Sequence, residues 1–139
     1  MVNKCDKVPK FGDVYLVAFD GDGSVQNGNR PAVVFQNNVG NTYSPNVTVL
    51  PITSKLKRTE MPTHVVLPSG STGLRTDSMV LCENPVCIPK TRLGQFLVSL
   101  PDEYMGQIAE ANMYASSAIA YVDPKALSSI RSRAVKLNA

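Results

Sequence analysis

Tryptophan is absent from the 139 residues, and histidine occurs once, at position 64. A single histidine excludes a two-histidine acid-base pair within one chain, and it excludes a His-rich metal centre. Cysteine is scarce too. Cys5, Cys82 and Cys87 form no Cys-x-x-Cys pair, and an odd count does not close a disulfide framework, so all three read as reduced thiols, with Cys82 and Cys87 buried. No stretch reaches the roughly 18 apolar residues of a membrane span, and the opening Met1-Val2-Asn3-Lys4-Cys5-Asp6-Lys7 has no apolar run after its charges. The expectation is a cytoplasmic protein with no membrane partner. Asn46-Val47-Thr48 matches a glycosylation acceptor but has no secretory route to use it.

What is present is enough for a core. Apolar residues make up 43% and charged ones 18%, the balance of a globular chain, and a domain of about 150 residues buries close to 70% of its unfolded surface. The net charge of +3 is concentrated at the end, where Lys125, Arg131, Arg133 and Lys136 face only Asp123. Residues 1–122 are balanced. That argues against a binder working through bulk charge and leaves room for a local basic groove. The domain is placed at 1–122, with 123–139 a basic extension, either a short helix or a loose tail.

Residues 13–19 and 30–37 are rich in Val, Ala, Leu, Tyr and Phe and read as strands. Between them, Gly21 to Asn29 is long for a hairpin loop and dense in turn-forming residues, the kind of loop that carries function. Further strands are predicted over 47–52, 63–67, 78–82 and 95–100. The period then changes. Ile108, Ala111, Ala115, Ile119 and Val122 recur at three- and four-residue steps after Pro101, Asp102 and Glu103, predicting an amphipathic helix over 102–122. Several short strands followed by one helix indicate a mainly β, α+β fold, a small barrel-like sheet with helical cover.

Asp20, Asp22 and Ser24 open like a calcium loop, but Val25 and Pro31 stand where that loop needs Gly and Glu. His64 lies in a strand pattern and reads as structural rather than catalytic. Cys82, Glu83 and Cys87 lack zinc spacing and a neighbouring histidine. Arg30 stands where the polar loop enters an apolar strand; alone, it is most simply read as a solvated or structurally paired side chain.

Gly12-Asp13-Val14-Tyr15, Gly23 to Pro31, and Pro51-Ile52-Thr53-Ser54, in that order, resemble the successive motifs of the MazF/PemK toxin family. Pro62-Thr63-His64-Val65, Gly73-Leu74-Arg75-Thr76-Asp77-Ser78, Glu83-Asn84 and Arg92-Leu93 continue the likeness, which spans roughly residues 11 to 120. The resemblance implies an SH3-like barrel with a C-terminal helix, a homodimer, an antitoxin partner, and cleavage of single-stranded RNA without metal or other cofactor. It maps the catalytic pair onto Arg30 and Thr53, and base recognition onto Ser24, Gln26, Glu83 and Asn84. A planar, permanently charged guanidinium suits a phosphate that gains charge under attack by a 2′-hydroxyl.

The chain departs from the family pattern at Val25, Asn84, Val86 and Pro89, where glutamate, glutamine, arginine and aspartate are usual. A family branch with histidine at position 24 and arginine at position 81 is not matched by Ser24 and Leu81, so the general base is unassigned, with Glu83 a candidate. Two alternatives share the barrel: a catalytically silent RNA- or protein-binding module, and a gyrase inhibitor resembling CcdB. The second depends on a C-terminal tryptophan that this chain lacks.

Overall fold

The computed structural model describes residues 8–19 and 28–138. Seven strands, β1 (Asp13–Phe19), β2 (Gly28–Val34), β3 (Asn46–Thr53), β4 (His64–Leu67), β5 (Ser78–Leu81), β6 (Val86–Pro89) and β7 (Leu93–Ser99), form one antiparallel sheet. Its order is β4-β5-β3-β2-β1-β7. Strands β5 and β6 pair with successive halves of β3, at Ile52–Thr53 and Asn46–Val49 respectively.

Period-two alternation divides the apolar side chains between two cores. Tyr15, Val17, Ala32, Val34, Val47, Val49, Ile88 and Leu93 pack together on one face. Val14, Val33, Leu50 and Ile52 pack on the other, beneath Tyr104, Met105, Ile108 and Ala111 of helix α3 (Asp102–Ser116). A sheet buried on both faces, with a helix over one of them, matches the expected mainly β fold with helical cover.

Three elements were not foreseen. A short helix α1 (Asn38–Tyr43) follows β2, which therefore stops at Val34 and not at Asn37. Asn37 accepts the Gly40 N–H at 2.9 Å as its cap, and fully buried Asn41 donates to the Gln36 carbonyl at 2.8 Å. One turn, α2 (Ser69–Thr72), precedes β5, and the four-residue β6 was missed beside Pro85 and Pro89.

Helix α3 ends six residues earlier than expected. Ser117 adopts a left-handed φ of 57° and donates to the Met113 carbonyl, and a 3-10 turn follows over Ala118–Tyr121. Ala115 and Ile119 have no core to face and are exposed. The C-terminal extension is helical, as α4 (Leu127–Leu137), with every residue exposed. The thiols divide as well. Cys82 is buried, but Cys87 is exposed, contrary to expectation, because in β6 it alternates with buried Ile88.

Candidate active site

Two prolines stand where the sheet opens. Proline has no N–H to give to a ladder, and Pro51 stands opposite Ala32 at the last rung between β2 and β3, with Pro31 one step further along β2. Beyond that rung β2 stays on β1, through Arg30 opposite Val17, while β3 joins β5 through Ile52 opposite Val80 and Thr53 opposite Met79. A groove of about 610 Å³ lies at this end, its walls including Asn29, Arg30, Ile52, Ser54, Arg75 and Gln95.

The two residues mapped as a catalytic pair each lie two positions beyond the last β2–β3 rung, Arg30 on β2 before Ala32 and Thr53 on β3 after Pro51; Arg30 lines the groove and Thr53 does not. Arg30 is exposed. Thr53 is half-buried, and its Oγ1 accepts the Lys55 N–H at 3.1 Å. That bond occupies a lone pair and orients the hydroxyl, leaving its hydrogen to donate elsewhere.

Glu83 and Asn84 lie apart from this pair. They follow β5 at its Leu81 end, whereas the groove meets β5 at Ser78, and neither lines the groove. Glu83 Oε2 is 2.9 Å from His64 Nε2, and His64 Nδ1 donates to the Arg58 carbonyl at 2.9 Å when that nitrogen carries the proton. The histidine side chain is only 8% exposed and the glutamate 34%. Burial pulls the imidazole pKa down, but the hydrogen bond to Glu83, the Arg58 carbonyl and the charges of Glu83 and Glu60 outweigh it and hold the pKa above its ordinary 6.5. Ser24 and Gln26, with Val25 between them, lie outside the described residues.

Arg75 and Gln95 were missed. Arg75 belongs to a motif singled out in the sequence, but its place beside Arg30 depends on folding over a long sequence separation and leaves no local signal. The Cys82 thiol is pushed up to about 12, by burial first and then by the charge of Glu83, so it is not a ready nucleophile. Among the described residues no three His, Cys, Asp or Glu side chains converge as a metal site, and no helix is long and apolar enough to cross a membrane. The groove's resources are guanidinium groups, amides and hydroxyls, a set suited to phosphate oxygens.

Comparison with known proteins gives a consistent result. The family described as PemK-like, MazF-like toxin of type II toxin-antitoxin system matches residues 10–113. The endoribonuclease EndoA of Bacillus subtilis is 38% identical over 105 residues, covering 75% of this chain and 90% of that protein. The endoribonuclease MazF of Staphylococcus saprophyticus is 40% identical over 101 residues, 72% of this chain and 84% of its own length. Among solved structures, the Mycobacterium tuberculosis toxin MazF-mt6 superposes with a TM-score of 0.63 at 27% identity, covering 74% of this chain and 94% of the other.

Proposed function

Because the chain belongs to the PemK-like, MazF-like toxin family of type II toxin-antitoxin systems, we propose that it is an endoribonuclease toxin that cuts single-stranded RNA with Arg30 and Thr53. The observation that carries this reading is that both residues lie just beyond the last rung of the β2–β3 ladder, at the end where Arg30 lines an open groove. The substrate's 2′-hydroxyl oxygen attacks the adjacent phosphorus and gives up its proton. The bond from phosphorus to the 5′ oxygen breaks, that oxygen takes up a proton, and the products are a 2′,3′-cyclic phosphate and a 5′-hydroxyl. Arg30 meets the charge building on the phosphate oxygens, and Thr53 donates its hydroxyl hydrogen to the same group. Ser24, Gln26, Glu83 and Asn84 are assigned to base recognition, by contacts to the edges of unstacked bases.

The protein works in the cytoplasm without a cofactor and as a homodimer, and its partner is a cognate antitoxin. A groove that attracts RNA phosphates also attracts an acidic antitoxin segment, so the two compete. The test is cleavage of a long single-stranded RNA in EDTA, with mapping of cut sites and analysis of the new ends. Wild type should cut at a short recurrent sequence, and Arg30→Ala should cut about 10²- to 10³-fold more slowly while staying folded. Normal cutting by Arg30→Ala would end the assignment of that residue. No cutting by folded, antitoxin-free wild type across varied RNAs would leave a binding module on the same barrel.

A further inference from the structure

Arg75 shares the groove with Arg30 but comes from a different part of the chain, the connection between α2 and β5. Its backbone is tethered on both sides. Gly73 takes a left-handed φ of 83° that caps α2, and buried Leu74 donates its N–H to Thr72 Oγ1 at 3.3 Å. On the other side Ser78 Oγ donates to the Thr76 carbonyl at 2.9 Å. Between these anchors the Arg75 side chain is exposed and makes no hydrogen bond or ion pair with another described residue.

The nearest carboxylate in sequence is already committed. Asp77 Oδ1 accepts the Ser69 N–H at 2.8 Å, and that backbone bond holds its pKa below the usual carboxylate value. Among the described residues no Asp or Glu lines the groove, whereas two arginines do. A fixed backbone that presents an uncommitted guanidinium into a groove without carboxylates is the arrangement of an anion contact.

We infer that Arg75 is a second phosphate anchor, holding a backbone phosphate of the RNA strand other than the one being cleaved. The inference rests on the reading of the protein as a single-strand ribonuclease. Arg75 acts on binding, not on the bond being broken. An anchor on a non-scissile phosphate holds ground state and transition state alike, so its loss raises KM and leaves kcat nearly untouched. Each phosphate neutralised on a single strand also contributes about 0.7 to the slope of log affinity against log salt.

The experiment compares wild type, Arg75→Ala, Arg75→Lys and Arg30→Ala in two assays: metal-free cleavage, and binding of an uncleavable 2′-O-methyl single-stranded oligonucleotide across a salt series. Arg75→Ala should raise KM roughly tenfold at low salt with kcat within about twofold, and should flatten the binding slope by about 0.7. Arg75→Lys, which keeps the point charge, should restore the slope. An unchanged slope for Arg75→Ala, or a loss confined to kcat, overturns the anchor. If wild type binds the oligonucleotide but cuts nothing, the ribonuclease reading fails while the slope still decides the anchor; if it binds no RNA, both fail.

Discussion

Both ring nitrogens of His64 are engaged, one facing a carboxylate and the other the carbonyl of Arg58, itself at a left-handed φ of 53°. Only the protonated ring can donate at both nitrogens together. Since the folded-state pKa is raised above 6.5, this contribution to stability is full below the unfolded value and is lost as pH rises through the folded one. Urea unfolding between about pH 5.5 and 8.5 should show wild type losing stability relative to His64→Gln as pH increases. A constant difference across that range would show that folding leaves the His64 pKa unshifted, and a difference that grows in favour of wild type with pH would show a ring held neutral in the folded protein. The structural role of His64 was legible because a lone histidine in an alternating strand has few other uses. Its partnership with Glu83 was not, since 19 residues separate them and only the pairing of β4 with β5 sets His64 opposite Leu81, two positions before Glu83. The proposed pair, Arg30 and Thr53, comes from motif order alone, and the proposal of Arg75 comes from the groove.

Elements with strong periodicity were read correctly and those held by side-chain bonds were not. β1 and β3 announce themselves through Val, Leu and Ile, whereas α1, with the sequence Asn-Val-Gly-Asn-Thr-Tyr, is poor in helix formers and is maintained by the Asn37 cap and the Gln36–Asn41 bonds. β7 was begun too late because its pairing with β1 shifts register twice. Its second residue is Gly94, where an added Cβ would lie 2.8 Å from the Leu16 carbonyl, so no larger residue keeps the strands this close. The overextended α3 shows the converse fault: an apolar repeat continued after the surface it could bury had ended. The fully exposed α4 holds on to the rest through few bonds, one of them from the Asn38 N–H to Asn138 Oδ1 at 2.9 Å. We therefore propose 1–122 as the folding unit. Removing residues from Asp123 onward should lower the melting temperature by only a few degrees, about 1 kcal/mol or less, with the β-sheet signal intact. Unfolding of the truncated protein would make the extension part of the domain.

At the scale of the molecule, two arginines line the groove and α4 carries cations together with exposed Leu127, Ile130, Val135 and Leu137, while Met113, Tyr114, Ile119 and Tyr121 leave an exposed apolar surface at the end of α3, between 42% and 90% exposed. A surface of that kind is commonly covered by association, and we assign it to the proposed homodimer. Met113→Glu, at a site already in solvent, should keep the fold and weaken self-association at least about tenfold in sedimentation velocity. A variant as dimeric as wild type would move the interface elsewhere.

The prolines at positions 31 and 51 reach further than the local geometry. Their rings are covalent, so the opening beside Arg30 is not a state the protein enters and leaves but a permanent gap in the backbone's ability to seal itself. The two strands cannot draw together over Arg30 by extending their own ladder, so whatever covers that side chain has to be something other than the β2–β3 backbone.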